Sequence, residues 1–184
     1  HGSNGGSVWE IDYVEFSELG VGVTTYYGVY SAATGGSVSF NGCSFYNSNY
    51  AVHLATANTL GVTLSNFVCY NNVDGLYVAA TSTTHSISNG VIIKSSTSGV
   101  YVGDVSSSYS NISVSSSTSY GWNLAEAAAK GTWSGLVSHS NTAQGFYIGN
   151  ALRPTNDWDF GLTTWRNGSY GLDDVATTLV SLSN

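Results

Sequence analysis

Short bursts of alternating apolar and polar residues return along the whole chain. Three successive bursts place their apolar residues at Trp9, Ile11, Val14 and Phe16, at Val38, Phe40, Cys43 and Phe45, and at Val62, Leu64, Phe67 and Cys69. Each burst steps by two, three and two. A step of two keeps side chains on one face of a strand, and the step of three marks a bend between two strands. The next bursts are read as Val91 with Ile93 and Ile112 with Val114.

A second signal follows each burst. A small residue, nearly always Gly, opens a short alternating stretch at Gly28, Ala51, Gly75, Gly99, Gly121, Gly145 and Gly171. Four positions earlier stands a polar residue, Asn47, Asn71, Ser95, Ser117, Asn141 or Asn167 in the last six copies. Asn and Ser suit tight turns because they bond to nearby backbone and tolerate left-handed conformations. One copy therefore reads strand, bend, strand, turn, Gly, short strand and polar loop.

A unit of about 24 residues cannot enclose a core of its own, so the copies must stack. No helix-length apolar stripe separates the strands, which excludes a βαβ crossover. The prediction is an all-β chain, a single-stranded parallel β-helix of about seven rungs. Residues 1–184 read as one domain, expected to be a segment of a longer chain. The absence of Met, the Gly/Ser-rich start and the match of Val180–Asn184 to Val62–Asn66 motivate that expectation.

Stacking turns the repeat into columns. The residue after each small residue should point inward, giving Val29, Val52, Leu76, Val100, Trp122, Phe146 and Leu172. The residue after that should point outward, giving Tyr30, His53, Tyr77, Tyr101, Asn123, Tyr147 and Asp173. The candidate binding residues are Tyr30, His53, Tyr77, Tyr101 and Tyr147. Rings with polar tips contact sugars and proteins at low entropic cost. Stacked rings can also do no more than cover a sheet face.

Composition narrows the partners. Only 8% of residues are charged and the net charge is −7. With four Lys plus Arg there is no basic stripe for phosphates, so a nucleic-acid partner is not expected. No apolar run has the length of a membrane span, so membrane insertion is not expected either. Cys43 and Cys69 fall in neighbouring rungs but different inward columns, and read as buried thiols rather than a disulfide.

Catalytic and metal chemistry find little support. Glu10, Asp12, Glu15 and Glu18 cluster in the first burst without a nearby cation, and read as solvated charge. Asp157 with Asp159 and Asp173 with Asp174 could offer oxygens to calcium, but neither pair has the ligand series of a calcium loop. Asp174 falls in an otherwise apolar inward column. His139 is placed in an inward column with Phe45, Cys69, Ile93 and Trp165, as a buried neutral histidine. No second His or Cys stands at metal-ligand spacing. No catalytic residue, metal or cofactor is assigned. Ala125–Lys130 reads as a helical turn within a loop, and Asn111 and Asn167 open glycosylation sequons. An ice-binding face would need a regular Thr-x-Thr ladder, and Thr24, Thr25, Thr56 and Thr81 to Thr84 are out of register with one another.

The stretch Val62-Thr-Leu-Ser-Asn-Phe-Val-Cys-Tyr-Asn-Asn-Val-Asp-Gly-Leu-Tyr-Val78 resembles the right-handed parallel β-helix repeats of pectate-lyase-like proteins. The opening Ile11-Asp-Tyr-Val-Glu-Phe-Ser17 is similar to β-helical segments of tailed-phage virion structural proteins. The first resemblance spans nearly the whole chain and implies the right-handed coil. Its enzymatic members carry clustered Asp with Lys or Arg on one outer face. Lys94, Lys130, Arg153 and Arg166 are scattered instead, so that pattern is missing. The resemblance implies an extracellular or virion structural and adhesive module, such as a phage fibre, spike or appendage, or a cell-surface filament. Self-association as a trimer or filament and contact with a cell-surface glycan are the expected partnerships. The alternative is a carbohydrate-active lyase or hydrolase domain.

Overall fold

The computed structural model describes residues 8–17, 27–31, 35–55, 61–79, 83–103, 107–124, 132–149 and 162–174. The described elements open with β1 (Val8–Asp12), β2 (Glu15–Ser17) and β3 (Tyr27–Ser31), then β4 (Ser37–Asn41), β5 (Ser44–Tyr46) and β6 (Tyr50–Leu54). In β7 (Gly61–Tyr70) the first two strands of the unit join through the bend, and β8 (Asp74–Val78) follows. The same plan gives β9 (Ser86–Ile93) with β10 (Val100–Val102), and β11 (Ser108–Ser115) with β12 (Trp122–Leu124). It ends with β13 (Thr132–Ser134), β14 (Val137–His139), β15 (Phe146–Ile148), β16 (Thr163–Trp165) and β17 (Leu172–Asp174).

All pairings in the two sheets are parallel, and each strand pairs with its equivalent in the next copy. The ten-stranded sheet bends at its middle and forms two walls, while the seven-stranded sheet β3-β6-β8-β10-β12-β15-β17 forms the third. The chain is a parallel β-solenoid, as predicted. It makes about five turns rather than about seven. Seven strands line the third wall, but the links between strands are described only in part.

The predicted inward column is found in register. Val29, Val52, Leu76, Val100, Trp122, Phe146 and Leu172 pair in sequence order. The five central members are buried. Opposite them, Phe40, Leu64, Ile87, Tyr109 and Trp133 stack inside the first wall. At the start of the coil the pattern is less enclosed: Trp9 and Val14 are 50% and 38% exposed despite sitting above Val38 and Cys43.

Two corners carry the turns, both left-handed. The bend holds Tyr13, Gly42, Asn66, Asn89, Asn111 and Gly135 at positive φ. The second corner holds Asn47, Asn71, Lys94, Ser116, Ser140 and Arg166. Asn is the residue that tolerates this region best after Gly, which explains its recurrence. The small residue of each repeat has a different cause. A Cβ on Gly75 would lie 2.5 Å from the Gly99 carbonyl oxygen, and one on Gly145 would lie 2.6 Å from that of Gly171. These glycines admit the next rung's backbone.

Three register expectations are corrected. Cys69 pairs with Ile92, an offset of 23 residues (92 − 69), so Ile92 and not Ile93 enters the core. Val91, read as inward, is 41% exposed. The same slip moves His139 and Trp165 outward and puts Ser138 in the buried column with Phe45, Cys69, Ile92 and Val114. A shift of one residue exchanges the two faces of a strand. The predicted turn residues also split. Asn47 and Asn71 stand at the exposed corner, while Ser95, Ser117, Asn141 and Asn167 continue the inward column of Ser48 and Asn72. From Asn72 to Gly75 is three residues (75 − 72), but from Ser95 to Gly99 is four (99 − 95). The added turn residue offsets the shortened strand and restores the Gly column.

Candidate functional site

The third wall carries the predicted aromatic column. Alternation turns Tyr30, His53, Tyr77, Tyr101, Asn123, Tyr147 and Asp173 outward, and their pairing is in register. Tyr77 and Tyr101 stack in parallel, with centroids 4.4 Å apart and planes 4° apart. His53 meets Tyr77 edge-on at 4.8 Å, and Tyr30 meets His53 edge-on at 5.3 Å. Tyr50 adds a second ring beside His53 and Tyr77, at 5.1 and 5.3 Å. Asn123 interrupts the ring column, but Tyr120 stacks on Tyr147 at 4.7 Å. The sequence column missed Tyr50 and Tyr120 because both stand three residues ahead of it.

This packing decides what the column can offer. Stacked rings turn their faces to one another, so what remains for a ligand is mainly their edges. Tyr30 is 52% exposed, whereas His53, Tyr77, Tyr101 and Tyr147 are half-buried. Burial lowers the pKa of His53, which disfavours a cation at this point of the column. Asp173 accepts a 2.8 Å hydrogen bond from Gln144 at the far end.

The first wall presents a different outer surface, which the sequence reading missed. Between the buried residues stand Ser39 and Asn41 on β4, Thr63 and Ser65 on β7, Ser86 and Ser88 on β9, Ser108 and Ser110 on β11, and Thr132 and Ser134 on β13. They pair rung to rung in two columns. The signal was present as a small polar residue on each side of each buried one, but the threonines were considered alone. Of those threonines, only Thr83 and Thr84 lie within the described residues. Glu10 and Asp12 occupy the same two columns on β1, and Glu15 lies beyond the bend. All three are exposed, and Glu18 lies outside the described residues.

The second wall has mixed chemistry outside. His139 stacks on Trp165 at 4.3 Å and 7°, with its Nδ1 3.2 Å from the Ser140 hydroxyl. Lys94 donates to the Tyr70 hydroxyl at 3.0 Å. Among the described residues no group of three His, Cys, Asp or Glu is placed to hold a metal. Asp157, Asp159, the Asp174 side chain, Lys130, Arg153 and the stretch Ala125–Lys130 lie outside the described residues.

Polar groups inside the coil are structural. Asn72 accepts from the Ser48 amide at 2.9 Å and donates to the Phe45 carbonyl at 3.1 Å. Asn141 accepts from the Ser117 amide at 2.9 Å and donates to Ser138 and Asn167 at 3.0 and 2.9 Å. Buried His85 accepts from the Val62 amide through Nδ1, at 3.3 Å. Asp74 accepts from the Ser98 amide at 3.0 Å. Burial raises its pKa, opposed by hydrogen bonds from the Ser98 amide and the Thr97 side chain. Cys43 and Cys69 are both free and buried, and Cys43 pairs with Phe67 rather than with Cys69. Burial pushes the Cys69 thiol far above its usual range, so it is inert as a nucleophile in the folded chain.

These walls and columns define a β-solenoid repeat protein with chemically distinct outer faces. Comparison of the chain with protein-family models, with curated proteins and with solved structures finds no match. Among the described residues no helix is long and apolar enough to cross a membrane.

Proposed function

We propose that this chain is a structural and adhesive module of an extracellular or virion assembly, and that its aromatic column contacts a cell-surface glycan. The observation that supports this reading is the in-register outward column from Tyr30 to Tyr147, with Tyr77 stacked on Tyr101. Such a column offers apolar edges and hydrogen-bonding tips at a fixed repeat, and ordering them costs little entropy. The scarcity of charge leaves neutral sugars as better partners than phosphorylated or strongly acidic ones. The resemblance to pectate-lyase-like and tailed-phage β-helices supports the same setting, although fold alone does not assign function. Self-association, lateral or end to end, belongs to this proposal, because repeat modules of this kind serve as parts of larger fibres.

The test replaces Tyr77 and Tyr101 together by Ser. Glycan-array binding and mass by sedimentation are then compared with the parent chain. Loss of array binding at unchanged mass supports the glycan contact. A fall in mass assigns the column to self-association instead. No change in either reduces the column to a cover for the sheet.

A further inference from the structure

The hydroxyl-bearing outer surface of the first wall is a two-dimensional net. Its five pairs, from Ser39 and Asn41 to Thr132 and Ser134, repeat on five strands paired without a break in register. Parallel-sheet geometry sets the net at roughly 4.8 Å from rung to rung and roughly 6.6 Å along each strand. Every position in it is Ser, Thr or Asn, and none is charged. The outer positions Thr63, Ser86, Thr132 and Ser134 are exposed, and the others are half-buried. Phe40, Leu64, Ile87, Tyr109 and Trp133 lie buried directly beneath, so the net rests on a packed support. At the bend, Asn66, Asn89 and Asn111 extend it by a column of amides, with Asn111 donating to Asn89 at 3.2 Å.

The chemistry of this face selects its ligand. Its five pairs include no ring on which a sugar could stack and no charge, and carboxylates stand only beyond them on β1. The face is a parallel-sheet surface with small side chains held in register. What distinguishes it is periodicity in two directions, and only a ligand periodic in two directions can use that. Water oxygens on the prism face of hexagonal ice form a rectangular net of comparable repeats. The geometry points to the first wall as an ice-binding surface, with the hydroxyls of Thr63, Ser86, Ser88, Ser110 and Thr132 taking positions of the ice lattice, while the Ser108 hydroxyl donates to the His85 carbonyl at 3.5 Å. The regular Thr-x-Thr ladder expected of such a face is replaced here by a mixed ladder in which Ser stands at most positions. A hydroxyl on each side of a buried residue, held in register over five rungs, places the same oxygens. Glu10 and Asp12 end the net on β1, where the same columns turn anionic.

The inference is independent of the aromatic column, which lies on the third wall. The test uses the fluorescently labelled full chain and a slowly growing ice hemisphere. The parent chain should be taken up into the ice and should shape single crystals held just below melting. Ser88→Lys and Ser110→Lys each raise a charged side chain from the middle of the net and should abolish uptake. Ser88→Thr keeps a hydroxyl there and should retain it, as should the double Tyr77→Ser, Tyr101→Ser variant. Circular dichroism identifies any variant that fails to fold. Exclusion of the parent chain from ice overturns the proposal. Uptake by folded Lys variants equal to that of the parent also overturns it. Binding to microcrystalline cellulose or chitin in place of ice overturns it in favour of a polysaccharide lattice.

Discussion

The first and third walls share one interior and differ on the outside. Inside, both present apolar columns with near-complete burial, Phe40 to Trp133 on one wall and Val52 to Phe146 on the other. Outside, the third wall holds rings that pack against each other, while the first holds small Ser, Thr and Asn side chains. Inward residues answer to the need to exclude water, so their identities converge. Outward residues answer to the ligand or to nothing, so their chemistry diverges. In a solenoid the repeat copies each outward choice into a column, and a column is a surface with a fixed spacing.

The comparison predicts equal interiors. Leu76→Ala on the third wall and Leu64→Ala on the first should each cost about 2–5 kcal/mol, since both side chains are fully buried. Urea denaturation measures this, and a loss well below about 2 kcal/mol at either position would contradict full burial there. Next in size is the backbone contact between rungs. Gly75→Ala places a methyl 2.5 Å from the Gly99 carbonyl oxygen and from the Ile92 side chain, and should cost about 1–3 kcal/mol in the same assay.

A buried amide gives a comparable effect at the corner joining the second wall to the third. Asn141→Ala leaves the Ser117 amide without its acceptor and should cost about 1–3 kcal/mol. An unchanged denaturation midpoint would show that the corner tolerates an unpaired amide.

Asp74 sharpens the comparison through pH. Burial disfavours its charged form in the folded state, so its pKa is raised. Its contribution is then most favourable below the ordinary carboxylate range and declines as pH rises through the raised value. Asp74→Asn keeps an oxygen for the Ser98 amide and removes the charge. The variant should be more stable than the parent at neutral pH, with the difference shrinking in acid. A difference that grows in acid would contradict the burial argument.

The smallest effects separate the two outer faces. Tyr77→Ser removes ring contacts and should cost at least about 0.5–1.5 kcal/mol. Ser88→Ala on the hydroxyl face should change stability by no more than about 0.5 kcal/mol. Equal losses at both positions would mean that the hydroxyl face is as much a structural cover as the aromatic one.

Much of this was legible in the chain. Alternation alone places Val29 to Leu172 inward and Tyr30 to Asp173 outward, because a strand has only two faces and each rung sets its own phase at the small residue. The spacing of that residue fixes the stacking, since a unit this short has no other way to bury its apolar side. The sequence therefore determined the all-β class, the parallel repeat and the aromatic column. The tertiary structure decided the phase wherever rung length changes. The 23-residue step from Cys69 to Ile92 turned Val91, His139 and Trp165 outward and brought Ser138 in. A turn residue inserted before Gly99 hid the slip, because it returned the visible glycines to their period. Only pairing between rungs could align Ser39, Thr63, Ser86, Ser108 and Thr132 into one column, because their register depends on where each strand meets its neighbour. Local pattern sets which face a residue takes, and contact between turns sets which residues share that face.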